Sequence, residues 1–133
     1  MHPFLPRFYG EIQDSKYNCI VIEFIRGKTL DGYDISTLKF NEKIKIIFEI
    51  IMTIRYFRQK KLIYRDLKPD NVMIDESKNA ILIDFDRLIE YESFTFESEQ
   101  ILDFASNFYD PEININKKFT YKSDEYSIGM MLK

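Results

Sequence analysis

An α+β fold is predicted by three features of this 133-residue chain. Two short apolar runs flank a polar turn near the N-terminus, one long segment carries helical apolar spacing, and a second pair of short runs brackets a four-residue turn. The length is that of one domain or less. With 45% hydrophobic and 31% charged residues, four Gly and four Pro, the composition excludes disordered and collagenous classes. The 19 basic and 22 acidic side chains leave a net charge of -3, the wrong sign for a nucleic-acid footprint. Cys19 stands alone, so no intrachain disulfide forms, and no charged-then-apolar leader precedes Pro3 and Pro6; an intracellular, cytoplasmic setting is expected. The stretch Ile44 to Phe57 is broken by Lys45, Glu49, Thr53 and Arg55 and falls short of a membrane span. Nucleic-acid and membrane partners are therefore not expected, and the oligomeric state is not legible.

Taken in order, Arg7 to Ile12 and Cys19 to Phe24 read as the strands of a hairpin joined by residues 13–18. Arg26 to Phe40, with Gly27 and Gly32, reads as a linker holding at most one helical turn. A helix follows from about Glu42 to Lys60. Asn41 is its expected N-cap, Ile44, Ile47, Phe48, Ile51 and Ile54 its core face, and Arg55, Arg58, Lys60 and Lys61 oppose the negative pole of its dipole. Leu62 to Asn71 is a polar loop broken by Pro69. Val72 to Asp75 and Ala80 to Asp84 flank the turn Glu76-Ser77-Lys78-Asn79 and read as a second hairpin. Residues 86–110 show neither period and suggest a long surface segment. Ser123 or Asp124 is the expected cap of a last helix beginning at Glu125.

Chemistry is suggested where the loop and the second hairpin meet. If Asp75 faces Ala80, paired positions sum to 155 and Asn71 lies opposite Asp84, with Cβ atoms about 4.5–5.5 Å apart. An amide oxygen facing a carboxylate is a hard-oxygen pair suited to Mg²⁺, whose remaining ligands are commonly water and substrate phosphates. In Tyr64-Arg65-Asp66-Leu67-Lys68-Pro69-Asp70-Asn71, Asp66 could accept the proton of an attacking hydroxyl and Lys68 could neutralise charge on a transferring phosphoryl group. Each of these charges alone reads as a solvated loop residue; it is their joint spacing that points to chemistry.

That eight-residue run resembles the catalytic loop of eukaryotic protein kinases, in the form found in the Ser/Thr type. Asp84-Phe85-Asp86, 18 residues after Asp66, resembles the Asp-Phe-Gly metal motif, and Asp110-Pro111-Glu112 the Ala-Pro-Glu that closes the activation segment. Residues 123–129 resemble the start of the helix that anchors the catalytic loop, His2-Pro3 through Tyr9-Gly10 the stretch after the regulatory helix, and residues 20–24 the strand entering the hinge. The resemblance implies part of a bilobal kinase fold: residues 1–25 as the end of the N-lobe with the hinge, and residues 26–133 as a partial C-lobe with catalytic loop and activation segment. It implies transfer of the γ-phosphoryl group of ATP to a protein hydroxyl, with Asp66 as base, Lys68 on the γ-phosphate, and Asn71 and Asp84 on Mg²⁺. Glu23 and Ile25 would meet the adenine edge through their backbones, Ile22 would guard the pocket, and Met73 would pack under the ring. Arg65 would bind a phosphorylated activation loop, with Ser93, Thr95 and Ser98 as phosphosites.

The sequence also departs from the family pattern. Glycines at 10, 27, 32 and 129 form no Gly-x-Gly-x-x-Gly, and no lysine stands in the element that would hold the ATP phosphates. Asp86 replaces Gly after Phe85, Asp110 replaces Ala, and Ala105 stands where Ser/Thr kinases carry a hydroxyl, with Ser106 beside it. These departures lead to an expectation of weak activity or none for the isolated chain. The alternative is a pseudokinase acting as a binding module. A small-molecule kinase of related fold is disfavoured by Lys68-Pro69 and by residues 110–112.

Overall fold

The computed structural model describes residues 2–91, 107–116 and 118–132. Within them lie strands β1 (Phe8–Gln13), β2 (Asn18–Ile22) and β3 (Gly27–Thr29), helix α1 (Phe40–Gln59), strands β4 (Leu62–Ile63), β5 (Val72–Asp75), β6 (Ala80–Leu82) and β7 (Ile89–Glu90), and helices α2 (Glu112–Asn116) and α3 (Tyr121–Met131). The strands form three small antiparallel sheets, β1-β2, β3-β5-β6 and β4-β7. The architecture is the α+β arrangement expected.

The first hairpin forms as predicted, with an irregularity between Phe8 and Gly10 that leaves Tyr9 as an extra residue. Gly10 there has φ of 152°, a backbone open only to glycine. The linker is more ordered than its composition suggests. Its residues 27–29 form β3 against the outer edge of β5, and Ile35–Thr37 form a single 3₁₀ turn capped by Asp34. Gly27 is what permits this pairing, because a Cβ built there would lie 2.1 Å from the carbonyl oxygen of Ile74. Gly27→Ala is therefore expected to destabilise the fold by roughly 1–3 kcal/mol. A lowered urea midpoint would report this, and an unchanged one would refute the close approach.

Helix α1 starts earlier than predicted, at Phe40, with Lys39 rather than Asn41 at the cap position; the Glu42 carboxylate accepts the Lys39 N–H at 2.7 Å. Its buried face is also different. Ile46, Glu49, Ile50, Thr53, Ile54 and Phe57 are buried, whereas Ile44, Phe48 and Ile51 are exposed; of the five predicted core positions only Ile54 is buried. Ile and Phe occur nearly all round this helix, so periodicity alone could not choose the face. Burial was decided by packing against Leu67, Val72, Ile74, Ala80 and Leu82. Glu49 enters the core because its Oε2 accepts the Ala80 N–H at 2.7 Å, which ties α1 to the start of β6.

The second hairpin forms, but one residue out of the predicted register. Val72 pairs with Leu82, Met73 with Ile81 and Ile74 with Ala80, so paired positions sum to 154. Asp75 sets this register. Its Oδ1 accepts the N–H groups of Ser77 and Asn79, both at 2.8 Å, and its C=O accepts the Lys78 N–H. The loop is thereby three residues with Lys78 left-handed at φ 60°, the usual type I turn with a bulge. Asn71 consequently lies opposite Ile83, whose N–H its C=O accepts at 3.0 Å, and not opposite Asp84.

Helix α3 begins at Tyr121, capped by Thr120, whose hydroxyl accepts the Lys122 N–H while Ser123 Oγ accepts the Thr120 N–H. Ser123 and Asp124 thus sit inside the first turn and are buried. The segment read as surface after residue 86 includes β7, and a second small core of Ile63, Ile113 and Phe119 packs against it. Among the described residues no helix is long and apolar enough to cross a membrane.

Candidate active site

The loop between β4 and β5 is held from three sides. Tyr64, fully buried, stacks on Phe57 and donates its hydroxyl hydrogen to the Ile83 carbonyl. Burial, and after it the carboxylates of Asp84, Asp66 and Asp124, push its ionisation far above the ordinary tyrosine value, so it remains a donor. Phe85 packs edge-on against both Phe57 and Tyr64, which seats the 84–86 turn on the same core.

Arg65 carries a left-handed backbone, φ 70°, uncommon for a long side chain. Such a residue costs on the order of 1–3 kcal/mol and persists only where its surroundings over-determine it. Here they do. Its N–H donates to Asp124 Oδ1 at 2.9 Å, its C=O accepts the Tyr109 hydroxyl at 2.7 Å, and its Nε donates to the Arg87 carbonyl. Its guanidinium lies over the Phe119 ring, 5.2 Å from the centre. Burial lowers the Arg65 pKa, with the Arg87 charge adding to that effect and Tyr109 and Asp124 opposing it.

Asp124 holds this loop, in line with the resemblance of residues 123–129 to a loop-anchoring helix, which did not single out the residue that does so. Its carboxylate is 2% exposed and accepts two consecutive backbone N–H groups, from Tyr64 and Arg65, each at 2.9 Å. Burial pushes its pKa up to about 6, against the opposing pull of those two hydrogen bonds. The available signal was a carboxylate near a helix start; the sequence does not show that it faces the core.

Asp66 projects from this pinned loop. Asn71 Nδ2 donates to both the Asp66 carbonyl, at 2.9 Å, and the Asp66 carboxylate Oδ2, at 2.8 Å. Lys68 Nζ lies 3.3 Å from the same oxygen and Arg87 Nε 4.0 Å. The predicted catalytic residues Asp66 and Lys68 are therefore in contact, and Asn71 joins them. Asn71 sits in the 3₁₀ turn Pro69–Asn71, where Pro69 pre-sets the first helical position.

Asp84 lies on the exposed surface with φ 63°, so the left-handed residue of this turn is Asp84 and not Asp86. The Asp that replaces glycine at 86 thus imposes no left-handed strain. Its N–H approaches Asp84 Oδ1 at 3.4 Å. The other replacement is also accounted for, since the Asp110 carboxylate accepts the Glu112 N–H at 2.9 Å where α2 begins.

Asn71 donates both amide hydrogens to Asp66, which leaves its carbonyl Oδ1 as the atom available to a cation. That amide oxygen and the Asp84 carboxylate are both hard oxygen donors, the donor chemistry that Mg²⁺ prefers. Among the described residues no three His, Cys, Asp or Glu side chains converge on a metal position.

The predicted nucleotide contacts are spread more widely. Glu23 and Ile25 line a cleft of about 690 Å³ together with Arg7, Arg26 and residues of the 75–79 turn. Asp66, Asn71 and Asp84 are not among its walls, and neither are Ile22 and Met73. Ile22 pairs with Phe8 at the end of β2 and is exposed; Met73 is half-buried in β5, opposite Ile81. Ser93, Thr95 and Ser98 lie outside the described residues, as do Ala105 and Ser106.

The family model described as the protein kinase domain matches residues 1–133, and the chain belongs to that family. Among curated relatives, a protein kinase of Oryza sativa subsp. indica is 35% identical over 94 residues, covering 64% of this chain and 15% of that protein. A serine/threonine-protein kinase of Arabidopsis thaliana is 34% identical, covering 64% and 18%. The cAMP-dependent protein kinase type 3 of Saccharomyces cerevisiae is 26% identical over 133 residues, covering 98% of this chain and 32% of that protein. The chain thus spans less than a third of the length of each of these relatives.

Proposed function

We propose that this chain carries the phosphotransfer site of a Ser/Thr protein kinase, with residues 1–25 ending an N-lobe and hinge and residues 26–133 forming part of the C-lobe. The observation that carries the reading is the double grip of Asn71 on Asp66, with Lys68 on the same carboxylate oxygen. That grip occupies Oδ2 and leaves Oδ1 for an incoming group. In the proposed reaction the acceptor hydroxyl oxygen bonds to the γ-phosphorus of ATP. The bond to the β–γ bridging oxygen breaks, ADP leaves with the electron pair, and the hydroxyl proton passes to Asp66 Oδ1. Lys68 offsets charge on the transferring group. Asn71 and Asp84 would hold Mg²⁺, which when bound neutralises phosphate charge. Ile22, Glu23, Ile25 and Met73 are proposed for the adenine, and Arg65 for a phosphate on the activation segment. The lone, exposed Cys19 suits an intracellular, cytoplasmic protein.

Phosphotransfer from γ-labelled ATP to Ser/Thr peptides tests this reading. Removing the divalent cation with a chelator is expected to lower the rate at least ~10²-fold, with recovery on adding Mg²⁺. A chelator-insensitive rate would refute the metal assignment. A second reading is a kinase-like binding module without phosphotransfer, in keeping with Asp86 standing where the family carries glycine. Peptide or nucleotide binding without turnover, with Mg²⁺ present, would select it.

A further inference from the structure

We infer that Tyr109 is a positioning residue for the proposed reaction, one whose hydroxyl sets the peptide unit that carries the Asp66 amide; the inference rests on the kinase reading above. The hydroxyl donates to the Arg65 carbonyl at 2.7 Å. A peptide unit is planar, so a hold on the Arg65 C=O also fixes the N–H and the Cα of Asp66. The neighbouring units are held separately. Asp124 accepts the N–H groups of Tyr64 and Arg65, and Asn71 Nδ2 donates to the Asp66 carbonyl. Tyr109 therefore supplies the hold between these two, at the unit that leads from the left-handed Arg65, φ 70°, into Asp66. An L-residue prefers the right-handed region, so this unit is where the loop would turn if the hydroxyl were removed.

Tyr109 is itself fixed on both sides. The carbonyl of Phe108 before it accepts the Ser127 hydroxyl of α3 at 2.7 Å, and the Asp110 carboxylate after it accepts the Glu112 N–H at 2.9 Å. Its ring stands edge-on to Phe119, with centres 6.0 Å apart and planes at 78°, against the small core of Ile63, Ile113 and Phe119. Burial, and after it the Asp66 charge, hold its ionisation above the ordinary tyrosine value, against the opposing charge and hydrogen bond of Arg87. The hydroxyl thus keeps its proton and remains a donor. Tyr109 acts through the backbone, by holding the Asp66 carboxylate where an acceptor hydroxyl can pass it a proton, and small displacements of such a group are costly to a reaction.

The test compares the full chain with Tyr109→Phe, which keeps the ring against Phe119 and removes only the hydroxyl; circular dichroism confirms that the variant folds. In isotope-labelled protein the Arg65 carbonyl carbon resonance is expected to move upfield in the variant. The Asp66 amide should gain μs–ms exchange in relaxation dispersion, while the amides of Tyr64 and Arg65, still held by Asp124, keep their profiles. An unchanged Arg65 carbonyl and Asp66 amide, or a loosening that moves all three loop amides together, overturns the inference. Phosphotransfer from γ-labelled ATP is measured on the same samples. The turnover number of Tyr109→Phe is expected to fall about 3- to 10-fold, the scale of one net hydrogen bond, with KM for ATP unchanged. Equal turnover with and without the hydroxyl overturns the inference and leaves the kinase reading intact. No turnover in either protein, with exchange at Asp66 in the variant, counts against the kinase reading and leaves the positioning of Asp66 by Tyr109 standing.

Discussion

Replacing Asp66 by Asn is expected to lower phosphotransfer by about 10²–10⁴-fold, the range associated with a positioned general base. The substitution keeps the shape of the side chain, and one amide oxygen can still accept from Asn71. What is lost is the charge that faces Lys68 and Arg87 and the capacity to take a proton. Binding of nucleotide should change little, because the proposed metal ligands are Asn71 and Asp84. Steady-state turnover of Asp66→Asn, compared with its urea midpoint, separates the two effects. Stability should shift by no more than about 1 kcal/mol, since the lost pairs face solvent in part. An unchanged turnover number would remove Asp66 from the mechanism.

The second large effect is structural and is expected at Asp124. Asp124→Ala leaves the N–H groups of Tyr64 and Arg65 without their acceptor in a buried setting, at roughly 1–3 kcal/mol for each. It also releases the left-handed backbone of Arg65, so the loop that carries Asp66 should relax and turnover should fall together with stability. Calorimetry and a urea titration measure the first, and a melting curve matching that of the unsubstituted chain would contradict it. Asp124→Asn adds a pH signature. Burial raises the carboxyl to about 6 from an ordinary 3.8, so between those values the folded chain holds a proton that the unfolded chain lacks. The contribution is fully present below 3.8 and is lost as pH rises through about 6. It amounts to on the order of 3 kcal/mol for a shift of this size. The difference in stability between the unsubstituted chain and Asp124→Asn should therefore move in favour of the former as pH falls from about 7 to about 4. A difference independent of pH would place Asp124 outside the buried network.

Much of the candidate site was legible because it is written in one run of chain. Asp66, Lys68 and Asn71 are separated by so few residues that a loop closed by Pro69 brings them together, and the structure finds both partners within 3.3 Å of the Asp66 carboxylate. Asp84 was placed less well. Its predicted position opposite Asn71 depended on a turn of four residues, and Asp75, by gathering the N–H groups of Ser77 and Asn79, shortened that turn to three. Asp124 was marked only through the resemblance of residues 123–129 to a loop-anchoring helix, and Arg87 carried no local signal, since what matters about each is a partner far away along the chain.

By itself the sequence determined the α+β class, both hairpins, the long helix and the residue types gathered at the loop. It did so because alternation, helical spacing and turn chemistry are properties of neighbours along the chain. Tertiary structure decided which face of α1 is buried, how β5 and β6 register, that Gly27-Lys28-Thr29 becomes a strand, and that Asp124 holds the loop carrying Asp66. Each of these depends on which distant groups compete for the same apolar surface or the same N–H. A helix with isoleucine on nearly every side has no preferred face until Val72, Ala80 and Leu82 arrive to cover one.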